Sequence, residues 1–292
     1  MLALTIVAVL AQGAAVSSTS TLEARLRQMI TASGAEVAVA YETLDGRARV
    51  SISPDVAFHA ASTMKVPVMI ELYRQAKIGK LSLDDRLPVK NAFRSIVDGS
   101  AYSLSETDDS DRKVYAAVGS TMALADLCEA MITVSSNLAT NLLIEKLGVE
   151  NVRATVTRLH ADRAGGMQVM RGVEDGTAFE KGLNNTTTAS GLATLLMALA
   201  RGQAVDAASD AAMIEILKRQ KFNDGIPAGL PAGTPVAHKT GDITRINHDA
   251  GIVYGPRPFV LVVLVRGIED RKQSAKLISD LSRMVFESTT HY

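Results

Sequence analysis

Phe58-His59-Ala60-Ala61-Ser62-Thr63-Met64-Lys65 is the stretch at which the chain changes character. Upstream of it, Val37, Val39 and Tyr41 alternate with other residues, Asp45-Gly46 offers a tight hairpin turn, and Val50 and Ile52 alternate again, which predicts two antiparallel strands. Downstream, from 62 to about 200, the pattern is mainly helical, with one polar stretch, 103–113, that reads as a loop. Strand patterns return at 236–240 and 250–254 and in the apolar run 259–265, which is long enough only for a buried strand. A helix is predicted at each end. Ser20-Thr21-Leu22-Glu23 is a capping-box pattern, with Leu22, Leu26, Met29 and Ile30 at helical spacing before Gly34, and Leu277, Ile278, Leu281, Met284 and Val285 form one apolar stripe. The predicted fold class is α/β in the α+β sense: an antiparallel sheet flanked by N- and C-terminal helices, with an all-helical domain inserted. Residues 20–60 and 205–292 would form the sheet domain and 61–204 the helical domain, leaving a cleft between them for a ligand.

The same stretch carries chemistry. In Ser62-Thr63-Met64-Lys65 the serine and lysine are three apart, so on a helix they share a face and the hydroxyl can meet the amine. That is a nucleophile beside a possible base. A helix start adds free backbone N–H groups and a positive dipole end near a developing oxyanion. Ser135-Ser136-Asn137, set before the helical segment Leu138, Leu142, Leu143 and Leu147, offers a hydroxyl and a carboxamide. Lys239-Thr240-Gly241 offers a cation, a hydroxyl and a glycine against which a substrate can lie. Such groups suit an amide that also bears a carboxylate. Ser-x-x-Lys alone arises by chance about once in a chain of this size, and Lys-Thr-Gly roughly once in ten such chains. Order, spacing and flanking sequence give the set its meaning.

Three segments resemble class A β-lactamases and the related penicillin-recognising serine enzymes: Phe58 to Lys65, Met131-Ile-Thr-Val-Ser135-Ser-Asn137-Leu-Ala-Thr-Asn141-Leu-Leu, and Val236-Ala-His-Lys239-Thr-Gly241. The likeness runs from about Leu22 to the C-terminus and is less faithful at 87–119 and 167–185. It implies a β-lactamase/transpeptidase-like fold and hydrolysis of a β-lactam amide through an acyl-enzyme on Ser62. Lys65 would take the serine proton or stay charged and orient the hydroxyl. Ser135 would relay a proton to the leaving nitrogen, Asn137 would hold the substrate's side-chain amide, Lys239 and Thr240 would bind the carboxylate beside Gly241, and the Asp242 backbone N–H would be the second oxyanion donor. Ser136 stands where the commonest class A pattern has Asp, a position that mostly contributes structural hydrogen bonds.

Two places depart from the family. The deacylating glutamate precedes a Thr-Thr-Thr run, here Thr186-Thr187-Thr188, and two residues compete for it. Glu180 matches Glu-x-x-Leu-Asn literally, through Leu183-Asn184, but lies too close to the threonines. Glu174 has the better separation without the following Leu-Asn, and is preferred. The arginine that many class A enzymes place on the strand after Lys-Thr-Gly is missing, since Asp249-Ala250 occupy that region, and Arg245 in the intervening turn is the substitute. A D,D-peptidase or other penicillin-binding hydrolase shares these motifs, and a non-catalytic module binding β-lactams or wall fragments is a third reading.

Composition narrows the partners. The chain has 292 residues, 47% hydrophobic, with 31 basic and 31 acidic side chains, so nothing favours electrostatic capture of nucleic acid or an acidic membrane face. Residues 1–19 read as an export signal, from the apolar run 2–11 and Gln12-Gly13-Ala14-Ala15, although only Met1 precedes the run and the usual positive charge is missing. The run is too short to span a bilayer. A periplasmic or secreted monomer with no integral span is expected. Cys128 is the only cysteine, so no internal disulfide can form, and the five histidines lack ligand spacing, so neither a metal nor another cofactor is expected.

Overall fold

The computed structural model describes residues 19–290. Helix α1 (19–33) leads into strand β1 (Glu36–Thr43) and, after the turn at Asp45-Gly46, into β2 (Arg49–Ile52). The chain then leaves the sheet and returns as β3 (Val236–Ile243), β4 (Ile246–Val253) and β5 (Phe259–Arg266) before helix α8 (Arg271–Thr290). All pairings are antiparallel and the strand order is β2-β1-β5-β4-β3. The first and last strands of the sheet therefore meet in its middle, where Glu36 pairs with Arg266 and Thr43 with Phe259. Strand β3, which carries Lys239-Thr240-Gly241, is an edge.

The unbroken apolar run of β5 has a physical reason. Phe259, Leu261, Val263 and Val265 face a cluster with Leu26 of α1 and Ile278 and Leu281 of α8, while Val260, Val262 and Leu264 face a second cluster with Leu192 and Leu195 of α6 (Ala189–Ala200). A strand covered on both faces has no reason to alternate. Each such side chain taken fully from water contributes about 1.5–3 kcal/mol.

The inserted section builds α2 (Lys65–Lys77), α3 (Leu124–Thr133), α4 (Asn137–Leu147), α5 (Val149–Arg158), α6 and α7 (Ala207–Lys218). Before and between them lie two-residue and three-residue strands that pair, among them Phe58–His59 with Thr186–Thr187. Helix α6 packs on the inner face of the sheet and shares its apolar cluster, so the section predicted as helical is joined to the sheet by a common core.

Strand β4 begins at Ile246, four residues earlier than its apolar pattern suggests, because a two-residue turn, Thr244-Arg245, reverses the chain. Arg245 adopts φ 60°, a conformation no Gly or Asn announces. Its early residues, Asn247, His248 and Asp249, are polar yet buried. His248 accepts from the Val265 N–H (3.2 Å), and its Nε2 lies 3.0 Å from the His59 carbonyl, tying β4 to the segment before Ser62.

Candidate active site

Ser62 lies in a single 3₁₀ turn, Ala61–Met64, and Lys65 is the first residue of α2. A 3₁₀ turn eclipses residues three apart, so the Lys65 Nζ reaches Ser62 Oγ at 3.0 Å. Ala61 adopts φ 46°, and the turn is braced by Thr63, whose Oγ1 donates to the Ala60 carbonyl at 2.6 Å. A Cβ on Gly241 would stand 3.1 Å from Thr63 Cγ2 and 3.2 Å from the Ala60 carbonyl oxygen. The glycine thus lets the serine turn lie against β3.

Lys65 is fully buried, and its Nζ, with at most three N–H groups to donate, has four oxygens in range: Ser62 Oγ, Ser135 O (2.7 Å), Ser135 Oγ (3.0 Å) and Asn137 Oδ1 (2.8 Å). Ser135, at φ 60°, turns both its carbonyl and its hydroxyl toward the amine. The Lys239 Nζ donates to the same Ser135 Oγ (3.0 Å) and to the Thr240 carbonyl (2.9 Å). One hydroxyl therefore bridges two buried amines. Burial pushes the Lys65 amine down to about 7, against the opposing pull of Asp109 and Glu174. Lys239 is pushed well below the ordinary lysine value by burial and then by Lys65, with Asp249 pulling it back.

Asn137 spans the site. Its Oδ1 accepts from Lys65, and its Nδ2 donates to Glu174 Oε1 at 3.3 Å, while the Ser105 N–H holds Glu174 Oε2 at 3.0 Å. One helical turn on, Asn141 clasps the Val173 backbone, accepting from its N–H (2.7 Å) and donating to its carbonyl (2.9 Å). Two asparagines at i and i+4 thus hold the loop at 173–174 against α4. Glu180 ends a short helix, Gly176–Glu180, is exposed, and has no hydrogen bond to these groups. The Leu183-Asn184 that gave it the literal match serves elsewhere: Arg171 Nε donates to the Leu183 carbonyl (2.9 Å), and its Nη2 lies 3.4 Å from Asn184 Oδ1.

Ser62, Ser135, Asn137, Thr240 and Asp242 line one pocket of about 340 Å³, open to solvent. Arg245 is not brought to it. The turn points its guanidinium to the Gly267 carbonyl (3.2 Å) and to Glu269 (4.0 Å), over a neighbouring surface hollow. The guanidinium on the pocket wall belongs to Arg271, the first residue of α8, paired with Asp224 (2.9 Å) and Asp242. No local pattern announces it, because it lies 29 residues beyond Asp242. Beneath β3, His238 Nδ1 meets Asp249 Oδ1 at 2.8 Å and its Nε2 meets Asn223 Oδ1 at 3.1 Å, all closed from solvent apart from Asn223. A crevice of about 380 Å³ lies elsewhere, between the β1–β2 hairpin and α6, and none of the motif residues line it. Among the described residues no group of three or more His, Cys, Asp or Glu could hold a metal ion.

The antiparallel sheet with helices on both faces and an inserted helical section is the β-lactamase/transpeptidase-like fold. A structure of PBP-A superposes with TM-score 0.80 at 26% identity, covering 93% of this chain and 97% of that one. A mutant of the last common ancestor of Gram-negative bacterial class A β-lactamases gives TM-score 0.79 at 26% identity over 93% and 99%. The chain belongs to the beta-lactamase enzyme family, whose family model matches residues 21–289. Among its relatives are a beta-lactamase of Bacillus licheniformis, 27% identical over 82% of this chain and 74% of that protein, and one of Streptomyces albus G, 26% identical over 93% and 85%.

Proposed function

We propose that the protein is a serine β-lactamase of class A type. Family and fold support hydrolysis of β-lactams, and the observation that carries the finer reading is the chain of contacts Ser62 Oγ, Lys65 Nζ, Ser135 Oγ and Lys239 Nζ, each step 3.0 Å. With its amine near 7, Lys65 is neutral in a large fraction of molecules at neutral pH and takes the proton as Ser62 Oγ attacks the lactam carbonyl. The oxyanion is met by the Ser62 backbone N–H and by that of Asp242 on the edge strand. As the C–N bond breaks, the proton passes from Lys65 through Ser135 to the leaving nitrogen. Lys239, Thr240 and the nearby Arg271 bind the substrate carboxylate, and Asn137 holds its side-chain amide. Glu174, hydrogen-bonded to Asn137, then orients a water against the ester and takes its proton, which frees Ser62.

A D,D-peptidase-like reading has its own support: PBP-A is as close in fold as the ancestral lactamase, and a point mutant of PBP-A was solved as an acyl-enzyme complex with penicillin-G, at TM-score 0.79 and 26% identity over 94% and 97% of the two chains. Intact mass followed over time with penicillin separates the readings. A transient penicilloyl adduct with continuing turnover of a chromogenic cephalosporin is expected, and Ser62→Ala loses both. A permanent adduct would establish the penicillin-binding reading instead, and no adduct, no turnover and unimpaired binding by Ser62→Ala would leave only a binding module. Export is part of the proposal, resting on the run 2–11, which lies outside the described residues. Among those residues no helix is long and apolar enough to cross a membrane.

A further inference from the structure

The polar loop 103–113, which the sequence leaves without a role, delivers a carboxylate to the site. Asp109 is 5% exposed, and its Oδ2 accepts from the Asn137 N–H at 2.8 Å and the Leu138 N–H at 3.0 Å. These are the first amides of α4, which have no partner within the helix. The helix's own N-cap, Ser136, reaches only the Ala139 N–H, at 3.3 Å. Two groups thus share one helix start, and the charged one comes from outside. Immediately before this start stands Ser135, held at φ 60° with its carbonyl and hydroxyl both on Lys65. Asp109 is itself held by the Asp111 N–H on its Oδ1 (3.2 Å).

We propose that Asp109 is a positioning residue for acylation: its carboxylate fixes the helix start that holds Ser135 and Asn137 against Lys65, and supplies buried negative charge opposite that lysine. The inference rests on the acylation reading above. The charged and titratable groups that face this cluster come from every side. Glu174 faces Lys65 from its loop, Lys239 from β3 with Asp249 behind it, and Tyr115 faces Asp109 from the helical turn Lys113–Ala116. Asp109 opposes the burial that lowers the Lys65 amine, so removing its charge lets that amine fall further. Positional loss and loss of charge then act differently. Misplacing Ser135 lowers the acylation plateau, whereas a lower Lys65 value moves the acid limb of the profile to lower pH.

The test uses Asp109→Asn, which keeps the shape and removes the charge, and the double variant with Ser136→Asp, which returns a carboxylate to the same helix start. Adduct formation with penicillin is followed by intact mass across pH, and Lys65 is titrated without ligand by NMR of ¹³Cε-labelled lysine. Asp109→Asn should acylate about 10–100-fold slower at the plateau, the scale of a small misplacement, with its acid limb and the Lys65 midpoint both at lower pH. The double variant should recover most of both. Unchanged acylation and Lys65 titration in Asp109→Asn, even with a lower melting temperature, would reduce Asp109 to a fold brace and overturn the proposal. If Asp109→Asn does not fold, the double variant decides: a folded double variant with near-normal Lys65 titration supports it, and a folded one with a displaced midpoint and slow acylation overturns it. If wild type neither forms an adduct nor turns the substrate over, the acylation reading is what fails. The Lys65 midpoint and the Asn137 and Leu138 amide signals of Asp109→Asn then still decide: displaced, they support the role at the helix start, and unmoved, they overturn it.

Discussion

Behind the sheet, Leu26, Val39, Leu261, Val263 and Leu281 are shut off from solvent and have no side-chain polar atom to satisfy; at the cleft, Lys65 and Lys239 are shut off equally and each carries an amine. Equal burial has opposite consequences in the two regions. Every apolar side chain behind the sheet adds stability, whereas each buried amine subtracts it unless hydrogen bonds and nearby carboxylates compensate. The backbone follows the same division. Ala61, Ser135 and Glu174, three of the seven non-glycine residues with positive φ among the described residues, all belong to the cleft, in a conformation that costs on the order of 1–3 kcal/mol each. The apolar layer makes the cleft tolerable, and the cleft is where geometry is held against local preference.

The comparison breaks most visibly at Glu174. Glu174→Gln should still form the penicilloyl adduct but hydrolyse it about 10²–10⁴-fold slower, roughly 3–5 kcal/mol of barrier, with little change in unfolding free energy. Glu180→Gln should alter turnover less than about twofold. Adduct that accumulates in the Glu180 variant and not in the Glu174 variant would reverse the assignment. On the other side, Leu261→Ala should cost about 2–5 kcal/mol in a urea melt while leaving kcat per folded molecule unchanged. A fall in kcat without a fall in stability would show that the two regions are not separable.

Lys65→Met sharpens the contrast from within. It should abolish acylation yet raise stability, by about 1–4 kcal/mol at neutral pH. The sign follows from linkage: an amine near 7 in the fold and near 10.5 unfolded binds fewer protons folded over that interval, so wild-type stability rises with pH from about 7 to 10.5 and the advantage of the Met variant shrinks. His248 gives an acid counterpart. Burial lowers it to about 4 from 6.5, so its neutral form stabilises the fold above pH 6.5 and that contribution is lost as pH falls toward 4. Unfolding free energies from urea melts at pH 7 and pH 4 should differ by about 3 kcal/mol from this residue alone, and His248→Gln should flatten that part of the curve. The smallest effect separates two arginines: Arg271→Ala should raise KM several-fold through a partly exposed contact, and Arg245→Ala should leave kcat/KM within about twofold.

Much of this layout is legible in the sequence, because burial on one face or two writes itself as alternation or as a continuous run. Strands β1, β2 and β5, the terminal helices and the loop at 103–113 can be read that way. So can the convergence of Ser62, Lys65, Ser135, Asn137, Lys239 and Thr240, since each belongs to a short motif whose members are near in the chain. What the sequence hides is whatever depends on backbone direction or on distant partners. The start of β4 is concealed by buried polar residues and by an arginine in a glycine-like turn. Arg245 looks well placed because it is near Lys239 in sequence, yet the turn sends it away, and Arg271 arrives from the next helix instead. Glu180 matches a pattern whose Leu-Asn braces the loop, while the glutamate that meets Asn137, 37 positions earlier, is Glu174. Asp109 could be suspected only as a charge in a polar loop.

The pairing of β1 with β5 sets a timetable for folding. The ion pair between Glu36 and Arg266 at one end of that pairing joins positions 230 apart, so the hairpin made first waits, with its β1 edge open, for almost the last strand to emerge. Long loop closure of this kind slows folding and leaves an apolar edge exposed to other chains in the meantime. Refolding from denaturant should therefore be slow and sensitive to protein concentration. Circular permutation that joins α8 to α1 and opens the chain in an exposed loop of the helical section would bring β5 and β1 close in sequence and shorten the wait.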